Sequence, residues 1–395
     1  MSSDPLVIIG GGLAAGTAIT SLRERGYDGP LVVFTAEPHL PYERPPLSKG
    51  YLLGKEPIEK ALVHDAAWYA ENDVEVRTGV RVESIDIDAH TVTAAGETLA
   101  YRSLLLATGA QARHLPLADE AGVPVTYLRT MESSTALKAE LRPGRRIGLI
   151  GGGWIGLEVA AAAREAGAEV TVLEMAAQPL LAVLGEEVAT IFADLHRAHG
   201  VDLRTGVKVA SIERTEAGGA RIGLEGGDSV EVDHLVVGVG AAPATELAEA
   251  AGIVVGNGIR TDAHLRTSAP DVFAAGDVAN ADHPVLGRAV RTEHWDTAIK
   301  HGRVAAANLL GGEEVADALP YFFTDQYDLG MEYVGNSGPD GFDRVEILGD
   351  VAGLNFKVWW LRHDEASGQD RVVAGMHVND WDAIDEIRAT VGTLR

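Results

Sequence analysis

At 395 residues, with 46% hydrophobic side chains, the chain exceeds one usual domain and has material for two or three buried cores. Its formal net charge of -25 opposes nucleic acid and anionic membrane surfaces, so neither is expected as a partner. The lack of cysteine removes disulfide scaffolds, thiolate zinc sites, iron-sulfur ligation and thiol nucleophiles together, and any redox chemistry therefore needs a bound cofactor.

The amino terminus, MSSDPLVIIG, has no basic segment ahead of an apolar core, and no apolar run approaches membrane-spanning length, so a soluble cytoplasmic protein is expected. Leu6 to Gly16, LVIIGGGLAAG, runs an apolar β-branched segment into glycines and then into an Ala-rich amphipathic stretch. That order reads as strand, tight turn and helix, with a phosphate set against the first backbone N–H groups of the helix. Gly10 permits the turn, Gly12 lets a pyrophosphate approach the backbone, and Ala14 or Ala15 allows close helix packing. Leu31 to Phe34 is the next strand, followed by Glu37, an acid placed to accept hydrogen bonds from ribose hydroxyls.

Pro38 to Lys49, PHLPYERPPLSK, carries four prolines, which forbid a regular element and predict an extended loop projecting Arg44 and Lys49. From Arg77 the chain alternates through short strands and an Ala-Gly-Glu turn to an apolar strand, Leu104 to Ala107.

The opening construction then returns at Ile147 to Gly156, IGLIGGGWIG, where Gly151, Gly153 and Gly156 take the three glycine roles. Val170 to Leu173 is its second strand, and Glu174 follows directly as the ribose acid. The segment from Arg204 aligns with that from Arg77 through Arg-Thr-Gly-Val, Ser-Ile, a hairpin and a final strand ending Val239-Gly240-Ala241. The repeat thus spans whole domains. Two homologous dinucleotide domains imply two different dinucleotides, because hydride transfer needs a donor and an acceptor face to face.

Gly252 to Asp277 holds a further Gly-Asp ending, VFAAGDVA, read as a strand, a turn and then a helix from about Thr297 to Leu310. It most economically completes the first domain. The organisation expected is a first domain of residues 1–114 and 243–318, a second of 115–242 inserted within it, and a third of 319–395. The third reads as an antiparallel sheet of Tyr321 to Phe323, Met331 to Val334, Val345 to Leu348, Phe356 to Leu361 and Val372 to Val378. A helix from Asp380 to Thr390, capped by Asp380, closes it, and no titratable cluster in it suggests catalysis. The histidines show no HExxH; His196 and His199 read as a pair on a helix surface. The fold class is α/β, with two Rossmann-like domains and a carboxy-terminal α+β domain.

PYERPPLSKGYL, GGGWIGLEVA, VFAAGDVA, RTEHWDTA and TDQYDLGMEYVG together resemble the pyridine-nucleotide-disulfide oxidoreductase superfamily. More narrowly they resemble the ferredoxin reductases of oxygenase systems, FAD proteins that feed two-iron ferredoxins for Rieske dioxygenases and cytochromes P450. The resemblance runs through essentially the whole chain. It implies a glutathione-reductase-like arrangement with FAD in the first domain, NADH in the second and the flavin between them. The positions matching the family's FAD contacts are Gly10, Gly12, Ala14, Glu37, Arg44, Lys49, Val82, Thr108, Gly109, Arg129, Asp277 and Trp295. Those matching its NADH contacts are Gly151, Gly153, Ile155, Gly156, Glu158, Glu174 and Gly240. Lys49 and Glu158 match positions that meet beside the flavin edge receiving hydride, where an ammonium would stabilise the charge of the reduced ring.

Glu174 suits free ribose hydroxyls and repels a 2′-phosphate, and no arginine follows through Leu181, which favours NADH over NADPH. Where the family often has an indole before TDQY, this chain has Phe322-Phe323. Ferredoxins are commonly acidic, so a chain of this charge needs a local basic surface; Arg288, Arg291, Lys300 and Arg303, flanking Trp295, are the candidates. Other readings are a reductase for rubredoxin or another carrier, and a redox-sensing protein like apoptosis-inducing factor. A monomer or a homodimer is compatible with the sequence.

Overall fold

Leu6–Ile9 carries consecutive apolar side chains, all of them buried, as a strand covered on both faces requires. It lies centrally in a parallel sheet ordered Val272–Ala274, Ser103–Leu106, Leu6–Ile9, Leu31–Thr35 and Val74–Thr78, with Leu6 registered against both Leu31 and Ser103. The chain fills one side of Leu6–Ile9 before it fills the other, so the carboxyl end of that strand is a topological switch point, where open α/β sheets bind ligands.

The computed structural model describes residues 4–338 and 341–395, in two compact units. The first unit contains this sheet and is built from the chain up to Arg44, Ile58–Gln111 and Ala242–Pro320; the second takes Pro45–Pro57, Ala112–Ala241 and Tyr321–Arg395.

In the first unit the helices Leu13–Glu24 and Trp295–Leu309 pack together over the sheet. A methyl group on Gly302 would lie 2.7 Å from the Ala14 carbonyl oxygen and 2.9 Å from Thr17 Cβ, so glycine sets how closely the two backbones meet. Leu6, Ile8, Ile19, Leu22, Leu105 and Ala305 form the core beneath them, each large side chain contributing about 1.5–3 kcal/mol through burial. A small antiparallel sheet, Val82–Asp86, Thr91–Ala94 and Glu97–Ala100, belongs to the same unit.

The second unit repeats the plan. Its parallel sheet runs Asp202–Thr205, Glu169–Glu174, Arg146–Ile150, His234–Val237 and Val125–Thr126, with a three-stranded antiparallel sheet of Val209–Arg214, Ala220–Leu224 and Ser229–Val232. The carboxy-terminal strands form an antiparallel sheet ordered Tyr321–Gln326, Leu329–Gly335, Gln369–Val378, Asn355–Asp364 and Arg344–Asp350. Met331, Val358, Trp360 and Met376 pack with Leu157, Val188 and Phe192 from the helices Trp154–Glu165 and Glu186–Ala198. A side chain at Gly375 would collide with Trp359 at 2.7 Å and with Ile387 of the closing helix at 2.8 Å.

Two local expectations fail. The closing helix is Ile384–Thr390 with Ala383 at its amino-terminal cap, not Asp380, whose backbone carbonyl instead accepts from the Ala383 amide in a turn. The proline segment is not extended throughout: Pro45–Leu47 coils into a 3₁₀ turn, and the amides of Ser48 and Lys49 donate to Pro45 and Pro46. Proline's fixed φ suits the first positions of a helical turn, where no donor is needed. Among the described residues no helix is long and apolar enough to cross a membrane.

Candidate functional site

At the switch point of the first unit, Gly10 has φ +144°, and a Cβ there would lie 2.0 Å from the Ala107 carbonyl oxygen. Only glycine fits. Nothing lies within 4 Å of a Cβ built on Gly12, which starts the Leu13–Glu24 helix with no side-chain cap. The first turn thus has no capping side chain and its entrance leaves room beside the backbone, the arrangement that binds a phosphate. The Tyr42 amide donates to the Gly11 carbonyl, which anchors the proline segment beside the cradle. From there Tyr42 donates to Glu37 Oε2 at 2.5 Å and Arg44 to Glu37 Oε1 at 2.8 Å.

The other expected FAD positions of this unit have defined settings. Asp277 sits in the 3₁₀ turn Gly276–Val278 after the buried strand Val272–Ala274, and a Cβ on Gly276 would come within 2.9 Å of Ala14 Cβ. Thr108 donates to the Ala244 carbonyl at 2.8 Å, Gly109 has φ +71°, and Val82 is buried at the start of its strand. Trp295 opens the Trp295–Leu309 helix and donates to Glu43 at 2.7 Å. The glycine backbone and the helix amino terminus fit a dinucleotide's diphosphate, and the acid Glu37 fits its ribose hydroxyls. Lys49 and Arg129 fall in the second unit, Arg129 immediately before Thr130, the cap of the Met131–Glu140 helix.

The second cradle repeats the strain of the first. Gly151 has φ +105° with its virtual Cβ 2.3 Å from the Gly238 carbonyl oxygen, and one on Gly156 would lie 2.3 Å from that of Gly151. Gly153 faces open space and begins Trp154–Glu165 without a side-chain cap. Glu174 accepts from the amides of Gly152 and Ala176, both at 2.6 Å. Ile155, Met175 and Val239 are exposed near these residues, and Gly240, at φ +104°, accepts from the Arg113 amide.

Within the second unit Lys49 and Glu158 form an ion pair. Glu158 is 5% exposed, and its carboxylate also accepts from Ser48 at 2.5 Å and from Thr324 at 2.6 Å. Ser134 holds the Lys49 segment by donating to the Leu47 carbonyl at 2.7 Å. The ammonium stands 5.5 Å from the centre of the Phe323 ring, within cation–π range. Asp325, partly in solvent, has its carboxyl pushed up by desolvation, with Glu158 and Glu332 adding to the shift and Lys49 opposing it.

Ser48, Thr324 and Asp325 were not anticipated, and the carboxy-terminal sheet does bring polar groups to the pair. The signal lies in the alternation along Tyr321–Gln326, where Phe322, Thr324 and Gln326 share the face turned to the helices and Phe323 the other. Two corrections follow. His196 is fully buried, not on a helix surface, because it lies on the same helical stripe as Val188, Phe192 and Leu195. The basic cluster is smaller than its sequence suggests: Arg291 is held by Glu293, Asn257 and the Asp277 carbonyl, and Lys300 pairs with Asp296. Arg288 and Arg303 are exposed and enter no ion pair among the described residues.

Comparison with known proteins agrees with this construction. Residues 4–302 match the pyridine nucleotide-disulphide oxidoreductase family. The chain is 43% identical to the ferredoxin–NAD(+) reductase component of the anthranilate 1,2-dioxygenase system of Burkholderia cepacia, over 96% of this chain and 92% of that protein. The crystal structure of the covalent putidaredoxin reductase–putidaredoxin complex superposes with a TM-score of 0.93 at 35% identity, covering 98% of this chain and 93% of that one. The ferredoxin reductase for the CYP199A2 system of Rhodopseudomonas palustris superposes at 0.92 with 32% identity, covering 99% and 96%. The chain therefore belongs to the pyridine nucleotide-disulphide oxidoreductase family, among its ferredoxin–NAD(+) reductases of oxygenase systems.

Proposed function

We propose that this chain takes hydride from NADH onto a bound FAD and passes single electrons to a two-iron ferredoxin that serves a cytochrome P450 or a Rieske oxygenase. The observation that carries the reading is the pair of glycine cradles, each at a switch point and each followed by an acid. FAD, when bound, supplies the conversion between a two-electron hydride and one-electron transfers.

The chain's own residues bind, orient and set charge. Gly10, Gly12 and the first amides of Leu13–Glu24 hold the FAD pyrophosphate, Glu37 takes ribose hydroxyls, and Arg44 balances the charge of that acid. Ala14, Val82, Thr108, Gly109, Arg129, Asp277 and Trp295 complete the FAD contacts. Gly151, Gly153, Ile155, Gly156 and Gly240 cradle NADH, and Glu174 selects it by repelling a 2′-phosphate. Lys49 would offer its ammonium to the flavin ring as an electrostatic partner, and Glu158 keeps that lysine in place. No side chain has to give or take a proton during hydride transfer. Arg288 and Arg303, both exposed on the unit that carries Trp295, offer the acidic ferredoxin a docking point.

The test is reconstitution. NADH-driven reduction of cytochrome c by the purified protein should depend on an added two-iron ferredoxin and saturate with it. A rate independent of every such ferredoxin would overturn the assignment of the acceptor.

A further inference from the structure

Glu158 ends a buried chain of hydrogen bonds within the second unit. Thr324 donates to Glu158 Oε1 at 2.6 Å, and Gln326 Nε2 donates to Thr324 Oγ1 at 3.2 Å. His196 Nε2 lies 2.8 Å from Gln326 Oε1, and the Tyr327 hydroxyl lies 3.3 Å from His196 Nδ1. Thr324, Gln326 and His196 are all buried, and the groups come from the helices Trp154–Glu165 and Glu186–Ala198 and the strand Tyr321–Gln326 with its following turn.

One arrangement of protons satisfies every member. A carboxylate paired with Lys49 can only accept, so Thr324 points its single proton at Glu158. The Thr324 oxygen must then accept, which turns the amide NH₂ of Gln326 towards it and the amide carbonyl towards His196. That carbonyl requires a proton on Nε2, leaving Nδ1 bare to accept from Tyr327. Burial agrees: it lowers the His196 pKa to about 4, which keeps the ring neutral. Every donor is thus aimed towards one carboxylate, and the Gln326 amide blocks simple proton hopping. The chain orients; it does not conduct.

We propose that Thr324, Gln326 and His196 are positioning residues that hold Glu158 in one rotamer and thereby fix where the Lys49 charge stands. The inference rests on the reading of Lys49 and Glu158 as flavin-facing groups and extends it to three buried residues linked to Glu158 by hydrogen bonds.

The experiment uses the FAD-loaded protein with nitrogen-labelled histidine. Long-range proton–nitrogen correlation should find His196 in the Nε2–H tautomer alone. Thr324→Val removes the hydroxyl without changing side-chain shape and frees Gln326 to rotate, so His196 should become a mixture of tautomers. The same variant should slow the limiting rate of flavin bleaching by NADH about tenfold, the worth of one hydrogen bond to a charged group, with half-saturating NADH little changed. Thr324→Ser should restore both readouts. A wild-type His196 protonated on Nδ1, a tautomer indifferent to Thr324→Val, or a Thr324→Val bleaching rate equal to wild type would each overturn the inference. Because the tautomer is read without NADH, a wild type with the expected tautomer that never bleaches indicts the functional reading and not the chain.

Discussion

In the first cradle Glu37 accepts from the Tyr42 hydroxyl and the Arg44 guanidinium, whereas in the second Glu174 accepts from the backbone amides of Gly152 and Ala176. The backbones are near copies, each with a glycine at positive φ pressed against a neighbouring carbonyl, yet the charges around them differ. Arg44 cancels the charge of Glu37 and is itself tied into a lattice of side chains, which suits a tenant that stays. Glu174 enters no ion pair among the described residues and adjoins exposed Met175, a surface suited to a nucleotide that arrives, is discriminated and leaves. The glycine geometry occurs twice, with different groups around the acid of each copy.

The hardest blow to that comparison is a methyl group in each cradle. Gly10→Ala places a Cβ 2.0 Å from a backbone oxygen at an unfavourable φ, and should yield protein without bound flavin. Gly151→Ala, at 2.3 Å, should leave the protein yellow and raise the Michaelis constant for NADH. Flavin content and steady-state kinetics decide, and a colourless Gly151→Ala would mean that the cradles do not divide the two nucleotides.

Acid probes the second unit. The folded-state pKa of His196 is lowered from 6.5 to about 4 by burial, so as pH falls the unfolded chain takes up its proton first. The stability at stake is fully present above pH 6.5 and lost on the way down to about 4, at most about 3 kcal/mol. Urea midpoints across that interval should fall less steeply for His196→Gln than for wild type.

Lys49→Met removes the cation meant for the reduced ring. Anaerobic flavin bleaching by NADH should slow about 100-fold, the loss typical of one preorganised electrostatic contact, while flavin content stays normal. Smaller still is the effect of Glu174→Gln, which keeps an acceptor and deletes the charge. Preference for NADH over NADPH, measured as the ratio of kcat/KM values, should drop about tenfold.

Legibility in the sequence followed the physics of each feature. The cradles could be read because positive φ and sub-contact approach admit glycine alone at Gly10 and Gly151, and an acid follows each second strand, Glu174 as its last residue and Glu37 two residues past its end. The antiparallel sheet was readable from its period of two. Thr324 was not, because it meets Glu158 across 166 residues of chain, and a threonine in a strand looks the same with or without a buried carboxylate to serve. His196 was legible in principle: its spacing from Val188 and Phe192 sets it on the buried stripe, but histidine's polarity suggested solvent. Arg291 stands close in sequence to Arg288 yet turns inward to Glu293 and Asn257, because Arg288 lies on the strand Arg288–Val290 and Arg291 lies just past its end.

One cradle is proposed to hold FAD and the other to bring NADH to it. Anaerobic titration of the purified, FAD-loaded protein, followed by its visible flavin absorption, tests this most directly. Stoichiometric bleaching by NADH, with NADPH far slower, is the predicted result; a protein that takes up no FAD, or whose flavin stays oxidised under excess NADH, would contradict it.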